Sequence, residues 1–255
     1  MKIFVITHKD YFFPKEEYYV PLQVGTSLLK GEYIKDSQGE NISELNSSFC
    51  ELTALYWIWK NASEDIVGLV HYRRYFSSNS DEVIFSGKKI LGKKELLSKL
   101  ESNDIIISQP RNYFIFSIRK HYCKAHAPGD LDKLKQVVHV LSPEYDNAFE
   151  TVMSSTKISL YNMLICRKEV LNEYCSWLFP ILFELKNHIN YEHYDSYQKR
   201  VFGFLGERLF NVWLYKNKDK YKQCYVPVTN IEGENLLYKG FCLFKRHFLK
   251  REQGI

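Results

Sequence analysis

The stretch IVGLVHYRRYF, residues 66–76, joins a short apolar run to a cluster of cationic and aromatic side chains. Residues 66–70 are apolar without strict alternation, which is typical of a strand buried on both faces of a sheet. A histidine, two tyrosines and two arginines follow at once. The stretch therefore predicts a central strand that ends at a cationic edge.

Similar apolar runs and helical patterns alternate along the rest of the chain. The other predicted strands are residues 2–7, 105–108 and 158–165. Helical patterns cover residues 48–60, 93–101, 131–140, 144–152, 169–188 and 194–216. The first is opened by a capping box at Ser48 and Glu51 and ended by Asn61. Strands that alternate with helices predict an α/β fold whose sheet is covered by helices on both faces.

No clean linker divides the chain, so we expect a single domain over residues 1–235, followed by a basic and aromatic segment, 236–255. That segment suits binding to an anionic membrane surface, and a last helix packed on the domain explains it equally well.

The apolar run at the N-terminus is too short for a signal peptide, and no run reaches the length of a membrane span. We therefore expect a cytoplasmic protein, with peripheral attachment to the inner face of the plasma membrane.

The composition excludes some kinds of partner. The 255 residues carry a formal net charge of +5, and the pI is about 8.7. This mild basicity is below the usual footprint of nucleic-acid-binding domains, so we expect no nucleic-acid partner. It suits an anionic ligand. None of the six cysteines forms a C-x-x-C pair, so zinc and thioredoxin-like patterns are weak.

Polar side chains follow three of the predicted strands. They are Thr7, His8 and Lys9 after the first, His71, Tyr72, Arg73 and Arg74 after the second, and Arg111 after the third. Ligands of open α/β sheets bind outside the carboxyl ends of the strands, so parallel neighbours would bring these side chains to one rim. Arginine binds phosphate oxygens bidentately, and the rim therefore predicts a diphosphate site. The alternative is that Arg73 and Arg74 form a solvated turn.

The exit of the second strand carries no carboxylate. Asp65 precedes that strand and lies at its opposite end. Divalent ions need hard oxygen ligands, usually carboxylates. We therefore expect the arginines to neutralise the bound charge, with no Mg²⁺ or Mn²⁺ cofactor.

A second candidate lies in the last helical pattern. Arg200, Gly203 and Glu207 are spaced three and four apart and share one helical face. Gly203 and Gly206 each cost a helix about 1 kcal/mol relative to alanine, which indicates close approach by a backbone or a ligand. Glu207 is then a candidate general base. The alternative is a tight helix crossing with Glu207 in a structural ion pair.

Two further polar groups have less specific patterns. His126 and Asp130 straddle a Pro-Gly pair, which predicts a loop that opens a helix with Asp130 as N-cap; a metal pair is the alternative. Asn162 is polar inside the predicted fourth strand. A buried asparagine must be hydrogen-bonded, so it either anchors a sheet bulge or contacts a ligand.

Several blocks together resemble a known family. They are KIFVITHKD, PLQVG, ELTALYWIWKN, GLVHYRRYF, YNMLICRKEVLNEYCSWLFPILFEL and YQKRVFGFLGERLFNVWL. The chain is similar to the bacterial capsule and exopolysaccharide biosynthesis proteins named for the uncharacterised domain 4422, in the same order and from about residue 2 to residue 230. The ELTALYWIWKN and HYRRYF blocks are the most specific.

The resemblance implies a GT-A-like glycosyltransferase that uses nucleotide sugars in surface polysaccharide assembly, most often for galactosyl transfer, including galactofuranosyl. GT-A enzymes typically hold a metal with an Asp-x-Asp motif, whereas HYRR takes that place here. This departure puts metal dependence in doubt. Inverting members often present a late carboxylate to the acceptor, and Glu207 is the candidate.

The resulting hypothesis is hexose transfer from a UDP-sugar to a hydroxyl of a lipid-linked oligosaccharide. Arg73 and Arg74 would stabilise the leaving diphosphate, and Glu207 would remove the acceptor proton. The expected donor contacts are Thr7, His8, Lys9, His71, Tyr72, Arg111 and Asn162. The expected acceptor and sugar contacts are His126, Asp130, Arg200 and Gly203.

Two rival functions remain open at this point. A non-catalytic carbohydrate-binding or scaffold protein would use its aromatic side chains to stack on sugars and the arginine pair as a partner surface. Another nucleotide-using enzyme on a Rossmann-like sheet, such as a methyltransferase, is disfavoured because no G-x-G-x-x-G follows the first strand.

Overall fold

The computed structural model describes residues 1–26 and 29–233. The strands are β1 Lys2–Thr7, β2 Tyr19–Gln23, β3 Ile34–Lys35, β4 Ile66–His71, β5 Arg74–Phe76, β6 Val83–Phe85, β7 Lys88–Ile90, β8 Ile105–Ser108, β9 Arg111–Asn112, β10 Lys157–Ile158, β11 Leu164–Arg167, β12 Gln223–Val226 and β13 Val228–Asn230. The helices are α1 Asn46–Phe49, α2 Leu52–Asn61, α3 Lys93–Ser102, α4 Ile118–Ala125, α5 Pro128–Leu141, α6 Asp146–Ser154, α7 Lys168–His188 and α8 Val201–Lys216.

The main sheet is mostly parallel and has the strand order β12-β8-β11-β4-β1-β2-β3. β4, β1, β2 and β3 run parallel, and so do β8 and β12. β11 is antiparallel to its neighbours β4 and β8. The carboxyl ends of β1, β4 and β8 and the start of β11 therefore lie at one edge of the sheet, which we call the carboxyl edge.

The central strands are buried on both faces, as their unbroken apolar runs predict. Phe4 and Ile6 of β1 pack in a core with α2, α7 and α8. Ile3 and Val5 face the opposite core, which is closed by α3 and by aromatic side chains around β5 and the β6–β7 hairpin. The predicted α/β class, with a mainly parallel sheet covered on both faces, is confirmed.

The predicted helix over residues 48–60 is two helices. Cys50 adopts φ 53° and interrupts the chain between α1 and α2. The predicted capping box does not form: α2 has no side-chain cap bond, and the Ser48 hydroxyl donates to the Leu45 carbonyl. Asn61 is the last residue of α2 rather than the residue after it.

Other predicted boundaries also shift where tertiary contacts decide the backbone. Residues 158–165 form not one strand but β10 and β11, separated by a turn that contains Tyr161 and Asn162. The last long helix begins at Val201 rather than near residue 194, after two short 3-10 turns. α5 begins at Pro128 with Ala127 as N-cap, so Asp130 lies in the first turn and is not the cap.

None of the helices in the described part of the chain is long and apolar enough to cross a lipid bilayer. The predicted basic and aromatic segment 236–255 lies outside the described residues.

Candidate active site

A cavity of about 770 Å³ opens at the carboxyl edge. One side of it, the strand wall, is formed by side chains at the end of β4, at the start of β5 and just after β1: His8, His71, Tyr72, Arg73 and Arg74. The opposite side, the helix wall, is formed around α1, α2 and α8: Cys50, Glu51, Arg200 and Glu207. Tyr161 lines the cavity between the two walls.

Aromatic rings pack against both arginines of the strand wall, and Arg73 also forms an ion pair. The Arg74 guanidinium lies 4.6 Å from the centre of the Tyr161 ring. Its Nε is buried and has no hydrogen-bond partner among the described residues. The Arg73 guanidinium lies 5.6 Å from the Tyr72 ring, and its Nη1 is 3.5 Å from Glu232 Oε2. Arg74 therefore forms no ion pair with a described residue, whereas Arg73 shares the Glu232 carboxylate with Lys9.

The two histidines of this wall are neutral near pH 7. His71 Nε2 lies 2.8 Å from the Tyr161 carbonyl, and because a carbonyl only accepts, this nitrogen carries the hydrogen. Burial lowers the pKa of His71 to about 4. Burial, together with the charges of Lys9, Arg73 and Arg200, also lowers the pKa of His8. The strand wall thus combines fixed arginine charge with neutral hydrogen-bonding rings.

Glu207 is the carboxylate of α8 that faces the cavity. Its Oε1 accepts the Tyr161 backbone N–H at 2.7 Å, and its Oε2 lies 3.1 Å from Nη1 of the buried Arg208. Burial raises the pKa of Glu207, and the negative charge of Glu51 raises it further, against the lowering effect of Arg208. A carboxylate accepts about four hydrogen bonds, so Glu207 can still accept one from a ligand hydroxyl.

Glu51 is a second carboxylate in the cavity, and the sequence prediction missed its role. Its Oε1 accepts from Asn162 Nδ2 at 2.8 Å, and burial raises the pKa of Glu51. The sequence assigned this residue to a capping box. Glu51 reaches the cavity because it lies in the break between α1 and α2. That break follows from the positive φ of Cys50, for which the sequence carries no signal.

One strained turn holds both carboxylates. Tyr161 has φ 79° and Asn162 has φ 51°, in the left-handed region that few non-glycine residues adopt. The Tyr161 N–H binds Glu207 and the Asn162 amide binds Glu51. Such strain persists only where surrounding contacts impose it, and it concentrates at functional sites.

The expectation that Asn162 contacts the ligand is corrected by this arrangement. Its side chain is 2% exposed, and its Nδ2 donates to Glu51 and, at 3.4 Å, to the Gly203 carbonyl. Its Oδ1 is buried with no partner among residues 1–26 and 29–233. Asn162 therefore positions a cavity carboxylate and does not reach the cavity itself.

The glycines of α8 allow its close approach to α1 and α2. A Cβ on Gly203 would lie 3.1 Å from Cys50 Sγ, and one on Gly206 would lie 2.7 Å from Leu52 Cδ1. Gly203 therefore contacts protein rather than acceptor, which corrects its expected role. The alternative of a tight helix crossing with Glu207 in an ion pair agrees with the packing and with the contact to Arg208. Glu207 also lines the cavity, so the ion pair leaves it accessible to a ligand.

Arg200 lies at the start of α8 and adds a positive charge to the helix wall. Its Nε donates to Cys50 Sγ at 3.2 Å, and its guanidinium lies 5.5 Å from the Phe204 ring. Burial raises the pKa of Cys50 to about 11, so the thiol stays protonated.

Two expected donor contacts lie behind or beside the cavity. Thr7 is fully buried and its hydroxyl donates to the Lys9 carbonyl at 2.6 Å, so its expected contact with the nucleotide is corrected. The Lys9 ammonium lies at the rim, 4.9 Å from the Tyr72 ring and 3.6 Å from Glu232 Oε1.

Arg111 lines a neighbouring cleft of about 270 Å³ rather than the main cavity. Its Nη2 donates to the Tyr161 hydroxyl at 3.2 Å. Tyr161 lines both spaces, so the cleft is next to the cavity.

The two residues expected to contact sugar from the Pro-Gly loop both have partners within the protein. His126 Nδ1 lies 3.0 Å from Gln198 Oε1, and its ring packs 4.2 Å from that of Phe204, behind the cavity wall. Asp130 is 1% exposed and accepts from the Tyr194 hydroxyl at 2.9 Å. The expected sugar contact of the buried Asp130 is therefore corrected, whereas that of the half-buried His126 stays a prediction.

Two carboxylates, Glu51 and Glu207, line the cavity. Within residues 1–26 and 29–233, no three side chains of His, Cys, Asp or Glu lie close enough together to hold a metal. The cavity carboxylates Glu51 and Glu207 come from different elements and already accept hydrogen bonds from the turn at residues 161–162. What the arrangement offers instead is arginine charge on one wall and two carboxylates on the other.

Comparisons with known proteins agree with this architecture. The model of the family described as "Domain of unknown function (DUF4422)" matches residues 2–218. A solved structure titled as the apo form of WbbM, a bifunctional glycosyltransferase, is similar with a TM-score of 0.78 and 29% sequence identity, over 91% of this chain. The present chain spans 45% of that chain. No curated protein matches. The structural similarity supports the GT-A-like arrangement of the sheet and helices.

Proposed function

This chain belongs to the DUF4422 family, and on that premise we propose that it is a glycosyltransferase that moves a hexose from a UDP-sugar to a hydroxyl of a lipid-linked oligosaccharide. The similarity to a bifunctional glycosyltransferase over 91% of the chain supports a sugar transferase. The observation that carries the proposal is the pairing of the two walls: arginines at the strand exits face carboxylates across one cavity.

The strand wall is suited to the leaving group. In the transfer, the bond between the anomeric carbon and the phosphate oxygen breaks, and negative charge grows on the departing diphosphate. Arg73 and Arg74 would stabilise that charge, and the aromatic rings packed against their guanidinium groups would hold them in place. His71 is neutral and donates to the Tyr161 carbonyl, so the positive charge of this wall comes from the arginines.

The helix wall is suited to the acceptor. If the anomeric centre inverts, the acceptor oxygen attacks that carbon from the face opposite the diphosphate and gives up its proton. Glu207 is our candidate for the base, because its raised pKa makes it a better proton acceptor than an ordinary glutamate. Glu51, the second carboxylate of this wall, would accept hydrogen bonds from sugar hydroxyls.

The sugar and the acceptor rest on the family resemblance, which favours galactose, including galactofuranose, in capsule, exopolysaccharide or O-antigen synthesis. The clefts beside the cavity support an extended acceptor. The cleft at Arg111 shares Pro110 with a further cleft of about 310 Å³ that contains Lys157, Lys218 and Tyr225. No carboxylate lines either cleft among the described residues, which suits a glycan that carries negative charge.

We further propose that transfer does not require a divalent metal. The family resemblance implies that the arginine pair takes the place of an Asp-x-Asp motif, and the positive charge there would then come from the protein. A chelator tests this metal independence directly.

The experiment is a donor screen that measures UDP release from several UDP-sugars, with and without EDTA. We expect release from at least one UDP-hexose, undiminished by EDTA. Loss of all activity in EDTA, restored by Mn²⁺, would contradict the metal-independent part. A thermal shift with UDP separates a catalyst from a scaffold, since a donor-binding enzyme is stabilised by UDP. No shift and no release would contradict the function itself.

A further inference from the structure

An unusual tight turn follows β9. The Phe116 N–H donates to the Tyr113 carbonyl at 3.2 Å, which leaves Phe114 and Ile115 as the two central residues. Phe114 has φ 57°. Central positions with positive φ are normally filled by Gly, Asn or Asp, because a bulky side chain is strained there. This turn instead carries two large apolar residues at its tip.

Both tip side chains point into solvent. Phe114 is 77% exposed and Ile115 is 74% exposed, among the highest values for large apolar side chains in the described residues. The fold departs here from two local rules at once, backbone preference and burial. Such departures are expected at functional positions.

The base of the turn is firmly held, so the exposure is not that of a loose loop. Tyr113 is 7% exposed and stacks on His121 with ring centres 3.9 Å apart. The Tyr113 N–H donates to the Thr156 carbonyl at 2.7 Å, and the Phe114 N–H donates to Asn112 Oδ1 at 2.8 Å.

Positive charge surrounds the tip. Arg111, Lys120 and Lys157 are exposed, and Lys124 Nζ lies 4.4 Å from the Phe116 ring. These four cations form no ion pair with any described residue. Two carboxylates of the neighbouring helices pair with other cations: Glu150 with Arg119 and Lys135, and Asp132 with Arg119 at 3.8 Å.

We propose that residues 113–116 are a membrane-docking tip, which inserts Phe114 and Ile115 into the interfacial region of an anionic bilayer while the surrounding cations contact lipid phosphates. Apolar insertion and electrostatic attraction together give the two signals that stable peripheral binding needs. A stable protein partner would bury about 800 Å² on this side, far more than two side chains offer. A bilayer needs no such area.

The tip is close to the candidate active site. Arg111 leads into the turn, and its guanidinium donates to the hydroxyl of Tyr161, which lines the cavity. If the proposed function holds, docking would place a lipid-linked acceptor beside the cleft at Arg111. The docking itself does not depend on that function, and it is proposed for residues 113–116 alone.

The first test is co-sedimentation of the full chain, without UDP-sugar, with vesicles of phosphatidylcholine and phosphatidylglycerol. The variant Phe114→Asn/Ile115→Ser should partition at least about tenfold more weakly. Asparagine tolerates positive φ, so the melting temperature of this variant should equal or exceed that of the wild type. The matched control is Ile84→Ser, because Ile84 is 62% exposed but lies next to Asp81 and Glu82; its partition should not change.

A second measurement reports insertion directly. Phe114→Trp fluorescence should shift to the blue and be quenched by brominated lipids, whereas Ile84→Trp should do neither. Wild-type partition of Phe114→Asn/Ile115→Ser would overturn the proposal and would point to another binding segment. So would a Phe114→Trp signal that vesicles leave unchanged. Neither result would alter UDP release, so failure of the tip is distinguishable from failure of the proposed function.

Discussion

The two walls of the cavity are built in opposite ways. The strand wall comes from consecutive residues, 71–74, with His8 from the neighbouring parallel strand. The helix wall comes from separate segments: Glu51 lies in the break before α2, Glu207 lies on α8, and the turn at Tyr161 and Asn162 orients both carboxylates. One wall is mainly cationic and the other combines two carboxylates with Arg200.

We propose that the two walls have distinct tasks, donor binding for the strand wall and proton transfer for the helix wall. The strand wall needs only the end of a buried strand to present its arginines, so its charge is fixed by local sequence. The helix wall needs a close helix crossing and a strained turn, so its geometry depends on packing. We therefore expect substitutions on the strand wall to affect donor binding and turnover. Substitutions on the helix wall should affect proton transfer or the fold.

The largest expected effect is on the helix wall. Glu207→Gln should reduce kcat by about 10²- to 10⁴-fold, because a general base contributes on that scale. UDP affinity, measured by calorimetry, should stay near that of the wild type, since the donor is assigned to the strand wall. An unchanged kcat would remove Glu207 from the proton-transfer role.

The strand wall should show the next largest effect. Arg73→Ala and Arg74→Ala should each lower turnover by about 10²-fold or more, the scale of one lost charge-stabilising donor. Here UDP affinity should weaken as well. Arg167→Ala is the matched control and should keep full activity, because Arg167 is exposed at the end of β11 that lies away from the carboxyl edge. Full activity in Arg73→Ala and Arg74→Ala would contradict the role of the strand wall.

The third prediction tests the helix crossing through stability. Gly206→Ala should lower the free energy of unfolding by about 1–3 kcal/mol, because its Cβ would lie 2.7 Å from Leu52 Cδ1. Gly129→Ala should cost nothing comparable, because nothing lies within 4 Å of a Cβ there. Denaturant melts compare the two. Equal stability would mean that the crossing is looser than we describe.

The fourth prediction concerns pH. The negative charge of Glu51 raises the pKa of Glu207, so Glu51→Gln should lower it. A base must be deprotonated to act, and activity is therefore lost as pH falls through that pKa. The acid limb of the kcat/KM profile should move to lower pH in Glu51→Gln and stay in place in Glu44→Gln. A limb that moves to higher pH would contradict the coupling.

The smallest expected effect concerns Glu232. Its carboxylate lies 3.6 Å from Lys9 and 3.5 Å from Arg73, and these partly exposed pairs compete with an incoming phosphate. Glu232→Gln should tighten UDP binding by about two- to fivefold, the scale of an exposed ion pair. Calorimetry should find Glu192→Gln unchanged. Weaker binding in Glu232→Gln would indicate that Glu232 positions the arginine instead.

The strand wall could be predicted from sequence because its signal is local. A buried strand followed at once by cations places Arg73 and Arg74 at an edge before any tertiary contact is known. The same reasoning failed for Thr7, whose side chain at the end of β1 points into the core. Successive side chains of a strand point to opposite faces, so only some of the residues at its end can reach the ligand. The sequence alone does not show which of Thr7, His8 and Lys9 does so.

The helix wall could be predicted only in part. The spacing of Arg200 and Glu207 was informative because helix geometry is regular. Glu51 was missed because its position depends on the left-handed conformation of Cys50, which no propensity favours. Asn162 was placed in a strand because its neighbours are apolar, whereas its hydrogen bond to a carboxylate 111 residues away pulls the chain into a turn.

The most direct test of the central claim is a crystal structure of the protein with UDP. We predict that the β-phosphate oxygens lie within hydrogen-bond distance of the guanidinium groups of Arg73 or Arg74, with no ion between. A diphosphate bound away from residues 71–74, or held through a cation on Glu51 and Glu207, would contradict the account.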